Sequence, residues 1–155
     1  MRNFFLIVLL SFVVFSTSSC VKDTSCNPKS AQSEASAMQS YATAEGINAT
    51  IDATSGLFYE IIVPGNSTKP TVNSTITVKY RGELLDGTVF DQNAQGFTSV
   101  LGGLIPGWQL GLQQLGEGGR VKLIIPSSLG YGCRDNGPIP GNSILFFDVE
   151  LIDVQ

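Results

Sequence analysis

Apolar and polar residues alternate with a period of two in most of the chain after Gly56. Because successive side chains of a β-strand point to opposite faces, such alternation predicts strands with one buried face and one solvent-facing face. Three runs carry the pattern most clearly: Ile76, Val78 and Tyr80; Val121, Leu123 and Ile125; and Leu145, Phe147, Val149 and Leu151.

Glycine residues separate these runs. Fourteen of the 17 glycines follow residue 80, between short segments rich in β-formers. The Asp86-Gly87 pair between Leu84 and Val89 is a strong hairpin signal. Short strands joined by frequent glycine turns are typical of a mostly antiparallel β domain.

A weakly apolar segment at residues 31–45 has helical spacing instead. Ser30 or Ser33 would cap its N-terminus and Gly46 would end it. Three interpretations remain open for this helix: it packs one stripe on the domain, acts as a spacer, or forms a dimer.

A second helix is predicted where Trp108, Leu112 and Leu115 fall at i, i+4 and i+7, with Gly116 as the stop. A lone apolar helix in a β-rich domain is best buried when a twisted sheet curls around it. The predicted fold class is therefore α+β: a twisted antiparallel β-sheet (half-barrel) curled around one short α-helix, preceded by an N-terminal helix and tether.

The beginning of the chain has the pattern of an export signal. Arg2 precedes an apolar run at residues 4–15, and small residues follow up to Cys20. The run is too short for the roughly twenty residues that span a bilayer as a helix, so it predicts a signal peptide and a bacterial envelope location, periplasmic or surface-facing. Small residues before a cysteine also match the lipoprotein cleavage box, with ordinary secretion as the alternative. The predicted division is a signal peptide at 1–19, a lipidated tether and N-terminal helix at 20–57, and a folded domain at 58–155.

Composition narrows the chemistry. The 155 residues, 43% of them hydrophobic, suffice for one domain. Without Arg2 the chain has eight basic and thirteen acidic residues, a formal net charge of −5, which disfavours nucleic acid as a partner. There is no histidine, which excludes Ser-His-Asp and Cys-His catalysis, and the three cysteines lack zinc-site spacing. We expect neither a metal nor a cofactor.

Four segments resemble the signature segments of FK506-binding-protein isomerases, in the family's order and close to its spacing. They are VKYRGELLDGTVFD (78–91), LIPGW (104–108), LGYG (129–132) and FDVELI (147–152). The resemblance extends over roughly residues 58–155. It implies a peptidyl-prolyl cis-trans isomerase that acts on proline-containing polypeptides, here exported proteins during folding, and that FK506-like macrolides would inhibit.

The resemblance also implies the site residues. It assigns catalysis to Tyr80, Phe90, Asp91 and Tyr131. It assigns substrate binding to Phe97, Leu104, Ile105, Trp108, Ile139 and Phe147. Trp108 would form the pocket floor, the Ile105 N–H and the Tyr131 hydroxyl would hold substrate carbonyls, and the Asp91 carboxylate would polarise or orient the twisting amide.

The chemistry of the reaction agrees with these residue types. An X-Pro bond rotates over a barrier of about 18–20 kcal/mol that arises from amide resonance, and no proton needs to move. A dry aromatic pocket disfavours the charge-separated planar amide and so favours the twisted one. Without the resemblance, Trp108 and the phenylalanines could equally be ordinary core residues. Asp91 could equally be the cap of a turn.

Two other functions remain open at this point. The same pocket would also suit a chaperone or binding module without rapid turnover, and the leader would suit a structural envelope lipoprotein. The aromatic residues favour catalysis over both.

The cysteines predict one disulfide. If lipid occupies Cys20, then Cys26 and Cys133 remain in an oxidising compartment, where thiols tend to pair. The alternatives are two free thiols or an intermolecular bond.

Overall fold

The computed structural model describes residues 26–155, so the predicted signal peptide and Cys20 lie outside the described residues. Within this range no helix is both long and apolar enough to cross a membrane. The described residues form two α-helices, six strands and two short 3₁₀ turns. In chain order they are α1 (Ala31–Ala44), β1 (Thr50–Ile51), β2 (Phe58–Val63), β3 (Thr75–Leu84), β4 (Val89–Val100), the 3₁₀ turn Leu101–Gly103, α2 (Pro106–Leu112), β5 (Arg120–Ile125), the 3₁₀ turn Ser127–Leu129 and β6 (Leu145–Val154).

All six strands form one antiparallel sheet in the order β1-β2-β5-β6-β3-β4. The predicted hairpin joins β3 to β4, where the Leu84 N–H donates to the Thr88 carbonyl at 2.9 Å and Gly87 has φ +85°. The predicted α+β fold is confirmed. β1, which precedes the predicted domain start at residue 58, adds a strand to the edge of the sheet.

The inner face of the sheet packs on α2. Gly107 and Gly111 permit this close approach, because a Cβ at either position would lie 2.5 Å from a side-chain atom of Ile125 or Leu123. The inner core therefore joins α2 to the central strands. Its buried members include Ile76, Val78, Trp108, Leu112, Val121, Leu123, Ile125, Leu145, Phe147, Val149 and Leu151.

The second helix is shorter than predicted. α2 ends at Leu112, and the N–H groups of Gln114 and Leu115 donate to carbonyls three residues earlier, which tightens the chain out of the α-helix. Leu115 is still fully buried in the inner core. The apolar spacing therefore identified a buried stripe correctly but placed the helix end too late.

The outer face of the sheet packs on α1. Ser30 is the N-cap, since its side chain accepts from the Ser33 N–H at 3.2 Å, and Gly46 follows the helix with φ +64°. Of the three interpretations of this helix, the structure supports packing on the domain. The outer core consists of Met38, Ala42, Ile47, Phe58 and Ile124.

Beyond α1 the outer face is charged. Glu60, Lys122, Asp148 and Arg81 lie in one cross-strand row with alternating sign. Arg120 also donates two hydrogen bonds of 2.8 Å to Asp148. Exposed ion pairs of this kind contribute about 0–1 kcal/mol each to the free energy of unfolding. The main effect of the row is therefore to give this part of the sheet a polar surface.

The structure joins Cys26 and Cys133 by a disulfide, with their Cα atoms 5.3 Å apart and a sequence separation of 107. This is the pairing that the sequence predicts. It attaches the segment before α1 to the loop that follows Tyr131.

Candidate active site

One cavity of about 340 Å³ opens above α2, between the inner face of the sheet and the loop before β6. All ten predicted catalytic and substrate-binding residues line it, so the tertiary structure brings them together. The part of the chain described by the structure has no cluster of three acidic, cysteine or histidine side chains that could hold a metal ion. The lining residues are Tyr80, Phe90, Asp91, Phe97, Leu104, Ile105, Trp108, Tyr131, Asn136, Gly137, Pro138, Ile139 and Phe147.

Aromatic rings in edge-to-face contact form the walls. The Trp108 ring lies 5.1 Å from Tyr80 and 5.2 Å from Phe147, with interplanar angles of 80° and 84°. Phe90 contacts Phe147 in the same way at 5.3 Å, and Phe97 contacts Tyr80 at 6.1 Å. In such contacts the edge of one ring packs against the face of the next, so these walls of the cavity are apolar.

Asp91 is the one charged side chain of the cavity wall. Its Oδ2 accepts a hydrogen bond of 2.7 Å from the Tyr80 hydroxyl across the β3–β4 pair. Burial, and next this hydrogen bond, raise the pKa of Tyr80 above its ordinary value. Tyr80 therefore stays protonated at neutral pH and fixes the orientation of the carboxylate.

Tyr131 stands at the rim and is 39% exposed. Burial raises the pKa of its hydroxyl, the negative charge of Asp91 raises it further, and the Asn136 side-chain amide acts in the opposite direction. The phenol is thus a neutral hydrogen-bond donor at physiological pH.

The turn before α2 supplies Leu104 and Ile105. Ile105 is the N-cap of α2, and its carbonyl accepts from the N–H groups of Trp108 and Gln109. The Gln109 side chain donates back to the carbonyls of Gly102 at 3.2 Å and Leu104 at 2.7 Å. Gln109, which the sequence pattern did not single out, therefore holds this turn in place.

The far rim contains three lining residues absent from the predicted set: Asn136, Gly137 and Pro138. The main-chain groups of Asn136 and Ile139 bond to each other at 2.8 and 3.0 Å around a tight turn, in which Gly137 has φ +55°. The Gly-Pro pair between Tyr131 and Ile139 was the available signal for this turn.

Comparison with known proteins gives one family. Residues 66–152 match the family described as FKBP-type peptidyl-prolyl cis-trans isomerase. The chain is 42% identical over 122 residues to the FKBP-type peptidyl-prolyl cis-trans isomerase FkpA of Buchnera aphidicola (subsp. Schizaphis graminum), which covers 76% of this chain and 47% of that protein. It is 41% identical over 106 residues to FkpA of Escherichia coli K12, covering 66% and 39%. The chain thus spans less than half the length of these relatives.

Solved structures agree. The crystal structure of FkpA from Escherichia coli matches with a TM-score of 0.71 and 35% identity, covering 81% of this chain and 61% of that one. A peptidyl-prolyl cis-trans isomerase from Pseudomonas syringae matches with a TM-score of 0.68 and 30% identity, covering 83% and 98%.

Proposed function

Because the chain belongs to the family of FKBP-type peptidyl-prolyl cis-trans isomerases, we propose that its aromatic cavity accelerates rotation about X-Pro bonds in exported or envelope proteins. The observation that carries the proposal is the meeting of all ten predicted site residues in one cavity.

The rings are proposed to catalyse by excluding water. The planar amide carries partial charges that water stabilises, whereas the twisted amide has lost this resonance. A proline ring seated on Trp108, which is only 4% exposed, would leave its amide among the edges of Phe90, Phe97 and Phe147. The planar form then loses more solvation than the twisted form, which lowers the barrier without covalent or proton-transfer chemistry.

The polar groups are proposed to hold the substrate backbone. The Tyr131 hydroxyl and the Ile105 N–H would donate to substrate carbonyls and fix the peptide on both sides of the rotating bond. Asp91, oriented by Tyr80 at 2.7 Å, would polarise the twisting amide rather than exchange a proton.

A proline-limited refolding assay, or rotation of a peptide with an apolar residue before proline, tests the function. We expect catalysis by the wild type, suppression by an FK506-like macrolide, and a fall of about ten-fold in kcat/KM for Asp91→Ala, because a preorganised charge is lost. Circular dichroism would establish that the variant is folded.

Wild-type rates equal to those in buffer alone would refute the isomerase. Binding of unfolded chains without any acceleration would identify the alternative, a chaperone or binding module. Asp86→Ala, a change of an exposed acidic residue in the β3–β4 turn, is the matched control and should leave kcat/KM unchanged.

We also propose that lipid on Cys20 anchors the protein in the bacterial cell envelope. The support is the export-like leader and the small residues directly before Cys20. The full chain should then partition into detergent, and Cys20→Ala should abolish the partition because one acyl-bearing residue is lost. Equal partition of both proteins would assign the anchor to another part of the chain, and an aqueous wild type would indicate ordinary secretion.

A further inference from the structure

Glu34 on α1 is a buried carboxylate. Only 3% of it is exposed, and its Oε2 accepts from the Ser127 N–H at 2.8 Å and from the Ser127 hydroxyl at 3.1 Å. Within residues 26–155, its Oε1 is buried without a hydrogen-bond partner. The contact joins residues 93 positions apart in sequence.

Ser127 in turn supports the backbone on both sides of Tyr131. It is fully buried, and its carbonyl accepts from the N–H of Gly130 at 3.1 Å and from the N–H of Gly132 at 2.8 Å. Glu34 thus fixes the main-chain N–H of Ser127. The carbonyl of the same residue holds the turn that presents the Tyr131 hydroxyl to the cavity.

Simple packing does not account for a carboxylate at this position. A buried charge with one unpaired oxygen carries a desolvation cost, and an apolar side chain of similar size would avoid it. An apolar side chain could not, however, accept the Ser127 N–H. The role of this position is therefore to supply a hydrogen-bond acceptor for Ser127.

Two further contacts attach the same N-terminal segment to the same rim. Cys26 is bonded to Cys133, and the Lys29 N–H donates to the Asn142 side-chain oxygen at 3.2 Å. Asn142 closes the loop, since its own N–H donates to the Gly132 carbonyl at 2.7 Å. All three attachments begin before residue 35, outside the matched family region at 66–152.

We propose that Glu34 is a positioning residue for the cavity: through Ser127 it holds Tyr131 where the hydroxyl meets a substrate carbonyl. The proposal rests on the isomerase function proposed above. It makes α1 part of the active-site support rather than only a cover for the outer face of the sheet.

The test compares two buried residues of the same helix in the full chain. Glu34→Ala removes the acceptor for Ser127, whereas Met38→Ala removes packing on the sheet one helical turn away. We expect Glu34→Ala to raise KM about ten-fold with kcat little changed. The reason is that the hydrogen bond from Tyr131 to the substrate, which is common to the ground and transition states, is weakened. Met38→Ala should lower the melting temperature but leave KM unchanged. Glu34→Gln, whose side-chain carbonyl still accepts from Ser127, should restore the wild-type KM within about two-fold.

Amide exchange gives a readout that does not depend on activity. The Gly130 and Gly132 amides should exchange faster in Glu34→Ala and not in Met38→Ala. If Glu34→Ala does not fold, Glu34→Met fills the space without an acceptor and takes its place.

Unchanged KM and unchanged exchange in Glu34→Ala, or in Glu34→Met where it takes its place, would overturn the proposal, as would a KM rise of equal size in Met38→Ala. The wild type, assayed in parallel, distinguishes a failure of the proposed isomerase activity from a failure of the proposed role of Glu34. An inactive wild type overturns the isomerase and the role of Glu34 together, and an active wild type with an unaffected Glu34→Ala variant overturns only the latter.

Discussion

Replacing Gly82 by alanine is expected to lower kcat/KM about a hundred-fold, because a displacement of about 1 Å among positioned groups can cost that much. Gly82 lies on β3 between Asp91 on β4 and Phe147 on β6. A Cβ at this position would lie 2.6 Å from the Phe90 ring and 2.7 Å from the Phe147 ring. Real Cβ atoms do not approach so closely, so both rings must move.

Both rings belong to the cavity wall. Phe147 is held edge-to-face by both Phe90 and Trp108, at 5.3 and 5.2 Å. The displacement must therefore reach the cavity, and overpacking of this kind also costs about 1–3 kcal/mol of stability.

Gly103→Ala is the matched control. A Cβ at Gly103 would meet no atom within 4 Å. The residue nevertheless lies close to the site, because it directly precedes the turn that supplies Leu104 and Ile105. Peptide isomerisation, measured at a temperature where circular dichroism shows both variants folded, should separate them. A Gly82→Ala protein with wild-type kcat/KM would contradict the proposed role of the ring wall.

Loss of the Cys26–Cys133 disulfide is expected to lower the free energy of unfolding by up to about 4.7 kcal/mol, the chain-entropy value for a loop of roughly 100 residues. The cause is the extra freedom of the unfolded chain once the loop opens. Urea denaturation with and without reductant measures the difference in a chain whose Cys20 is replaced by alanine.

The variant with both Cys26→Ser and Cys133→Ser serves as the control, since its unfolding should not respond to reductant. Peptide mapping of the unreduced protein should recover the two cysteine peptides linked. Alkylation of both thiols without prior reduction would instead establish two free cysteines, and reductant would then leave the denaturation midpoint unchanged.

The sequence by itself determined the local elements and the composition of the cavity. Period-two alternation predicted β3, β5 and β6 because strand geometry fixes which side chains share a face. The Ser30 cap and the Asp86-Gly87 turn involve backbone groups within a few residues, so their signals are also local. The ten cavity residues followed from motifs whose order along the chain fits a known fold.

Other features could not be predicted from local pattern. The middle of β4, residues 92–96, is rich in Gln, Asn and Gly and shows no alternation, yet it lies within a strand because β3 pairs with β4 on both sides of a register shift. α1 has only a weak apolar stripe, and its position over Phe58 and Ile124 depends on which part of the outer sheet face remains apolar.

Tertiary structure alone decided which distant residues meet at the cavity. The hydrogen bond from Tyr80 to Asp91 depends on the register of β3 with β4, and a shift of one residue would turn either side chain to the other face. The contact of Glu34 with Ser127 depends on α1 crossing the outer face to reach a turn 93 residues later. Neither contact leaves a periodic trace in the sequence, because hydrogen bonds between distant residues are set by how the sheet and helices pack, whereas periodicity reports only the geometry of a single element.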